Sequence, residues 1–120
     1  MKKAIAVIFV LGSAVTASPA SGEQMIQFFS GKSLSAFCEK SVDECTDYII
    51  GVYDTLAMLH NSRSLSDDMT SICLPPTARD ARLTLVVKKY LDDHRNQFHL
   101  AAPRIVISAL TKAFPCRRSE

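Results

Sequence analysis

Polar and apolar residues are distributed along the chain with the 3.6-residue period of an α-helix, and no segment shows the period of two that is typical of a strand. Four segments carry this helical pattern. In the first, Leu34, Phe37 and Cys38 share one side. The pattern predicts a short helix from about Gly31 to Lys40.

A second, longer helix is predicted to begin after Ser41. The sequence Ser41-Val42-Asp43-Glu44 has the form of a capping box, in which the serine hydroxyl accepts from the glutamate N–H and the glutamate reaches back to the serine N–H. Gly51 interrupts this helix at about 1 kcal/mol relative to alanine, and we interpret it as a point of close approach by a neighbouring helix. The predicted apolar face comprises Cys45, Tyr48, Ile49, Val52, Leu56 and Leu59.

The third predicted helix follows Cys73-Leu74-Pro75-Pro76, a segment that is extended because a residue before proline avoids the helical region. Thr77, three residues before Asp80, is its predicted N-cap. The predicted buried face of this helix comprises Leu83, Val86, Val87, Tyr90 and Leu91.

The fourth helix is predicted to begin near Leu100 or Ala101, because Pro103 lacks an N–H donor and fits only the first turn. Pro115 ends it. Its predicted apolar face comprises Ala102, Ile105, Val106, Ala109, Leu110, Ala113 and Phe114. The four segments together predict an all-α, four-helix domain with a continuous core. Leu85 and Ile107 lie off these faces and are candidates for a dimer surface.

The N-terminal residues predict export. Lys2 and Lys3 precede an apolar run over residues 4–11 and a stretch of small residues, which is the pattern of a secretory signal peptide. We predict a signal peptide over residues 1–20, cleaved after Ala17 or Ala20, and a helical domain over residues 21–120. The apolar run is shorter than the about 20 residues of a spanning helix, and an uncleaved anchor is the alternative. After cleavage we expect no association with the membrane.

Charge argues against nucleic acid as a partner. The chain has 14 basic and 12 acidic residues, for a net charge of +2. Removing Lys2 and Lys3 leaves equal numbers of each, so the predicted mature domain is close to neutral. A nucleic-acid-binding domain normally carries a clear excess of basic residues.

The four cysteines predict two disulfides. An even number of cysteines in a small exported chain is typical of a disulfide framework, and the paired short spacings of a zinc site are missing. Antiparallel packing of the last two helices places Cys73, before the third helix, beside Cys116, after the fourth. Cys38, late in the first helix, is close to Cys45, in the first turn of the second. We therefore predict Cys73–Cys116 and Cys38–Cys45.

We predict that the protein is not an enzyme and holds neither a cofactor nor a metal. With every thiol in a disulfide, a cysteine nucleophile is disfavoured. His94 and His99 are poorly spaced for one metal ion, and Asp92-Asp93-His94 is interpreted as a solvated helix end. The sequence has no motif of a serine hydrolase, a metalloprotease or a phosphate-binding loop.

Four segments, CTDYIIGVYD (45–54), CLPP (73–76), LVVKKYL (85–91) and HLAAPRIVISALTKAFPC (99–116), occur in an order and spacing that resembles the Rap/Tai family of bacterial immunity proteins. The resemblance covers about residues 31–116. Arg95 departs from the pattern, since many relatives have proline there. The residues that fit the family pattern are Tyr48, Gly51, Pro75, Tyr90, Leu91, His99, Ala102, Ala109, Leu110, Phe114, Pro115 and Cys116.

The resemblance implies self-protection in the periplasm. Proteins of this family are small and helical, are often homodimers, and block a peptidoglycan-cleaving amidase that type VI secretion delivers between cells. The protein would then bind such an amidase as its partner. An alternative is a small periplasmic chaperone resembling the helical acid-stress proteins, which requires opening and exposure of apolar surface at low pH.

Two loops qualify as the contact with a partner, because a rigid scaffold presents a loop with little ordering cost. They are residues 62–71 and residues 92–98. We favour the second, which is shorter, carries both signs of charge and is held by a helix at each end. The candidate partner-binding residues are Asp92, Asp93, His94, Arg95 and Asn96.

Overall fold

A computed structural model describes residue 12, residues 28–62 and residues 71–117 of the chain. It contains four helices, α1 (Gly31–Lys40), α2 (Val42–Asn61), α3 (Asp80–Asp93) and α4 (Ala102–Ala113), with a 3-10 turn at Arg95–Gln97. Within these ranges no strand forms, and β-type pairing is limited to two isolated bridges. The predicted all-α, four-helix fold is therefore confirmed.

Two predictions concern residues outside this description. The signal peptide over residues 1–20 lies there except for Gly12, and the loop over residues 62–71 lies there except for its two ends. Across the described residues, none of the helices combines the length and apolar character needed to cross a membrane.

The predicted apolar faces meet in one core. Leu34, Ile49, Val87 and Val106 are completely buried, and Phe114 retains 6% of its exposure. Val86 and Tyr90, which were predicted to be buried, are half-buried and pack against the core, and two further positions differ from the prediction. Ala113 is exposed at the end of α4, whereas Thr84 of α3 is buried. The remaining buried apolar residues are Cys38, Cys45, Leu56, Leu83, Leu91, Ala102, Ile105, Ala109 and Leu110.

The buried hydroxyl of Thr84 is satisfied by hydrogen bonds. Its Oγ1 lies 2.6 Å from the Oγ1 of Thr46 in α2 and 3.2 Å from the carbonyl oxygen of Asp80. A buried polar group is costly only when it lacks a partner, so the Thr84 hydroxyl can be buried at little cost. Its contact with Thr46 also links α3 to α2.

Helix α3 packs against α4 in the antiparallel sense that the sequence predicts. At one end the guanidinium of Arg82 lies 5.5 Å from the ring centroid of Phe114, and the N–H of Cys73 donates to the carbonyl of Phe114 over 2.9 Å. At the other end, only residues 94–101 separate the last residue of α3, Asp93, from the first residue of α4, Ala102. This pairing brings the residues before α3 beside the residues after α4.

The start of α1 is hydrogen-bonded to the segment that leads into α4. The N–H groups of Gly31 and Lys32 donate to the carbonyls of Leu100 and Phe98 over 2.8 and 2.9 Å. The N–H of Ala102 donates to the carbonyl of Phe29 over 2.8 Å. Backbone hydrogen bonds to the start of α1 therefore hold the segment that leads into α4 in place.

The interpretation of Gly51 as a close-approach residue is wrong. It is exposed, and a Cβ added there would meet nothing within 4 Å. Gly31 has that role instead, because a Cβ at Gly31 would clash with the Cδ1 of Ile105 and lie 3.1 Å from the Cα of Phe98. The close contact occurs where α1 meets α4, and a glycine within a helix does not reveal which face it occupies.

Ser41 caps α2 by half of the predicted capping box. Its Oγ accepts from the N–H of Glu44 over 3.3 Å. Its own N–H donates to the carbonyl of Phe37 over 3.1 Å, so the last turn of α1 uses the group that Glu44 was predicted to bind. One residue therefore ends α1 and begins α2.

The predicted cap at Thr77 is wrong. A turn closes from Pro75 to Ala78, with the N–H of Ala78 donating to the carbonyl of Pro75 over 2.8 Å, and Thr77 lies inside it. Arg79 occupies the N-cap position of α3 and makes no side-chain capping bond. The two prolines direct the chain into a turn before the helix begins.

Both predicted disulfides are present, and no cysteine is free. Cys38–Cys45 joins the end of α1 to the start of α2 and is buried in the core. Cys73–Cys116 joins the segments before α3 and after α4. Cys73 is exposed and Cys116 is half-buried.

Candidate partner-binding site at the turn between α3 and α4

The five candidate residues form one continuous surface where α3 ends. Asp92 and Asp93 are the last residues of α3, His94 is its C-cap, and Arg95 and Asn96 begin the 3-10 turn. All are exposed except His94, which is half-buried. The structure therefore places four charged or polar side chains in solvent around a partly covered imidazole.

Hydrogen bonds hold the turn in one conformation. The N–H of Gln97 donates to the carbonyl of His94 over 2.9 Å, and the N–H of Phe98 donates to that of Arg95 over 3.2 Å. The hydroxyl of Tyr90 donates to the Oε1 of Gln97 over 3.0 Å, which connects the turn to the side of α3. The 3-10 turn thus forms with arginine at position 95.

His94 is fixed by Tyr90. The two rings stack with centroids 3.8 Å apart and planes 14° apart. The Nδ1–H of His94 donates to the backbone carbonyl of Tyr90 over 2.8 Å, which assigns the proton of the neutral ring to Nδ1. The ring therefore has one orientation, and its Nε2 carries no proton in the neutral form.

Four charged side chains around the turn form two ion pairs, one short and one long. Lys89 and Asp93 form an ion pair with Nζ and Oδ2 2.9 Å apart. Their hydrogen bond and mutual attraction lower the pKa of Asp93 and raise that of Lys89, so both are charged at neutral pH. Arg95 and Asp92 lie 4.0 Å apart and are largely exposed. This looser pair can exchange its contact for one with a partner at little cost.

A shallow groove of about 280 Å³ adjoins the turn between α3 and α4. Its lining combines small and apolar residues with two lysines. The residues that line it are Val86, Lys89, Tyr90, Asp93, His94, Ala109, Lys112 and Ala113. Lys89 and Lys112 were not among the predicted site residues. The sequence did contain one indication for Lys112. It lies between Ala109 and Ala113, and two alanines four residues apart on a helix leave space beside a neighbouring helix.

The two candidates for a dimer surface lie on different grooves. Leu85, 67% exposed, and Val42, 53% exposed, face a groove of about 410 Å³ between α2 and α3. Ile107 is half-buried and lines a groove of about 470 Å³ between α2 and α4, beside Gly51. Dimerisation through either residue stays a prediction.

The side chains of this site are held in place by hydrogen bonds and ion pairs. Among residues 28–62 and 71–117, no group of three metal-binding side chains comes together and every buried side-chain nitrogen or oxygen has a hydrogen-bond partner. What the site offers is an ordered turn with exposed charges of both signs. Such a surface suits a protein partner with complementary charges.

The four helices, two disulfides and an ordered polar turn define a small disulfide-linked helical domain. The chain belongs to the Rap1a immunity protein family, whose family model matches residues 30–116. The resemblance to Rap/Tai immunity proteins is thereby confirmed. No curated protein and no solved structure matches the chain. An immunity protein acts by binding the effector against which it protects, so membership implies a protein partner.

Proposed function

We propose that this protein is a periplasmic immunity protein that binds and blocks a cell-wall-degrading amidase effector. The observation that carries the proposal is the family match over residues 30–116. Two disulfides support an oxidising location such as the periplasm, because reducing compartments keep thiols free. The predicted signal peptide provides the route of export.

In this proposal the residues at the end of α3 contact the amidase. The turn is already ordered by the bonds of Gln97 and Phe98, so binding loses little conformational entropy. Asp92 and Arg95 present one carboxylate and one guanidinium to the rim of the enzyme's cleft. The helices behind the turn prevent the polymer substrate from entering.

The first experiment tests the function. The oxidised protein is used to capture binding proteins from periplasmic extract, and the eluate is assayed for release of soluble fragments from purified peptidoglycan. We expect amidase activity that the added protein abolishes at a one-to-one ratio. An eluate without such activity, or activity that the protein does not inhibit, would contradict the proposal.

The second experiment tests the site. We expect the double variant Asp92→Lys with Arg95→Glu to bind the amidase at least about tenfold more weakly, since interface charge pairs are worth about 1.4 kcal/mol or more when desolvated. The matched control is Glu39→Lys with Lys40→Glu, which reverses the same kinds of exposed charge at the end of α1. Both variants leave net charge unchanged. Equal affinity of the two variants would remove this turn from the interface while leaving the function standing.

A further inference from the structure

The two disulfides differ in their access to solvent. Cys38 and Cys45 retain 1% and 0% of their exposure, whereas Cys73 is exposed and Cys116 is half-buried. An attacking thiolate must reach a disulfide sulfur directly, so exchange depends on access. We propose that Cys73–Cys116 is a site of thiol–disulfide exchange with a dithiol oxidoreductase, and that Cys38–Cys45 is inert while the protein is folded.

An open cavity gives a partner room to approach. It measures about 400 Å³ and lies between the end of α2 and the Cys73–Cys116 disulfide. Its described lining is Tyr53, Leu56, Ala57, His60, Asn61, Ile72, Cys73 and Cys116. Both cysteines belong to the wall of this cavity, so in the proposed exchange a dithiol on another protein approaches the disulfide from the cavity side.

Backbone pairing keeps the two cysteines in register when the sulfur bond is broken. The N–H of Cys73 donates to the carbonyl of Phe114 over 2.9 Å, and the N–H of Cys116 donates to that of Ser71 over 3.2 Å. Between them Ile72 and Pro115 form an antiparallel bridge. The Cα atoms, 4.8 Å apart, therefore stay at a separation that allows the disulfide to form again.

The exchange transfers two electrons and two protons in two steps. A thiolate of the dithiol attacks the sulfur of Cys73, the more exposed of the two, forming a mixed disulfide and releasing Cys116 as a thiolate that takes up a proton. The second thiol of the reductant loses its proton and attacks the mixed disulfide. Cys73 leaves and is protonated, and the oxidoreductase departs with its own disulfide.

Exchange at this position is independent of the candidate partner-binding site. Cys73 precedes α3, whereas Asp92 and Arg95 lie at the opposite end of that helix. The 14 residues of α3 extend over roughly 21 Å. Reduction therefore frees residues 115–117 from their covalent attachment and leaves the turn after α3 in place.

The test compares the two disulfides within one molecule. The oxidised protein is incubated with dithiothreitol in native buffer, samples are quenched with iodoacetamide, and alkylation of each cysteine is followed by peptide mass spectrometry. We expect Cys73 and Cys116 to be alkylated at least about a hundredfold faster than Cys38 and Cys45, with a rate linear in dithiothreitol. Helical circular dichroism should persist throughout.

A second measurement uses the variant Cys73→Ser with Cys116→Ser, whose remaining disulfide should resist the reductant until denaturant is added. Reduction of both disulfides at one rate would overturn the proposal. So would a rate that reaches a plateau with increasing dithiothreitol, since unfolding would then limit the reaction. Resistance of Cys73–Cys116 in native buffer would overturn it as well.

Discussion

Gly31 shows how a single hydrogen atom in place of a side chain determines the packing of a helix. Its N–H donates to the carbonyl of Leu100, and a Cβ added to it would collide with the Cδ1 of Ile105 and lie 3.1 Å from the Cα of Phe98. A methyl group would occupy the space that the side chain of Ile105 fills. The residue is buried, and so are its neighbours in α4.

We expect Gly31→Ala to lower the free energy of unfolding by about 1–3 kcal/mol, because overpacking displaces neighbouring atoms. The matched substitution is Gly51→Ala, which lies in open space within α2 and should raise it by about 0.5–1 kcal/mol through helix propensity. Urea unfolding followed by circular dichroism measures both. Effects of the same sign would contradict this assignment of the two glycines.

At the site, residue types could be predicted from the sequence and their partners could not. Asp92, Asp93 and Arg95 were identified because a short polar segment separates two apolar patterns. The ion pair of Lys89 with Asp93 has helical i,i+4 spacing, yet the groove that it borders depends on how α3 packs against α4. That packing register is set by side-chain volumes across the core, which single-sequence patterns do not encode.

At the level of the helices, one residue between α1 and α2, Ser41, has two structural roles. Ser41 accepts from the N–H of Glu44 and donates its own N–H to the carbonyl of Phe37. The neighbouring disulfide Cys38–Cys45 spans the same turn. The side chain begins one helix while the backbone ends the other.

Replacing Ser41 by alanine should therefore lower the free energy of unfolding by about 1 kcal/mol, because only the cap of α2 is lost. The control is Ser35→Ala within α1, for which we expect a change within about 0.5 kcal/mol. Thermal unfolding of the oxidised proteins reports the difference. A Ser41 variant as stable as the control would mean that the disulfide alone fixes this turn.

The ends of a helix were predicted correctly where neighbouring residues mark them. They were predicted incorrectly where a turn lies between the marker and the helix. The bounds of α1 agree because Ser30 and Ser41 flank an uninterrupted apolar pattern. The start of α3 was misplaced, since the turn that follows Pro75 carries the chain past Thr77 before a helical conformation begins. Proline marks that a helix has not started, without giving the residue at which it does.

At the scale of the whole molecule, near-neutral charge conceals a polarised distribution. Residues 31–61 carry two basic and five acidic side chains, whereas residues 71–117 carry eight basic and three acidic ones. The half that contains α3 and α4 is therefore positive, and it includes the candidate site. Such a field attracts an acidic partner surface and accelerates association at low ionic strength.

The whole-molecule fold should also resist acid. Among the described residues the one buried polar or charged residue is Thr84, so protonation has no buried carboxylate to discharge. The pKa of Asp93 is lowered by its hydrogen bond and charge pair with Lys89, so the stability it adds is present above the usual carboxyl pKa and lost only as pH falls through the lowered value.

We accordingly expect helical circular dichroism and binding of an apolar dye to stay constant from neutral pH to about pH 4. The variant Asp93→Asn lacks the charge pair with Lys89, so its stability should change less with pH below that value than the stability of the parent protein. Strong dye binding between about pH 6 and pH 4 would contradict this expectation and favour the acid-stress chaperone alternative.

The two disulfides also contribute to the free energy of unfolding of the whole molecule. In the chain-entropy treatment a disulfide across 43 residues is worth about 4 kcal/mol and one across 7 residues about 2.5 kcal/mol. A domain is commonly stable by about 5–15 kcal/mol. Exchange at Cys73–Cys116 would therefore leave the protein folded with a smaller margin.

The hydrogen bonds from the start of α1 to Phe98 and Leu100 affect how genetic data on this protein should be interpreted. Under the proposed function, a screen for cells that have lost protection would recover substitutions at Gly31 alongside those at Asp92, because a side chain at Gly31 would collide with Ile105 and Phe98 and disturb the segment that follows the turn. Residues that never touch the toxin would then be mistaken for contacts. Measuring abundance and melting temperature for each recovered allele would separate the two groups.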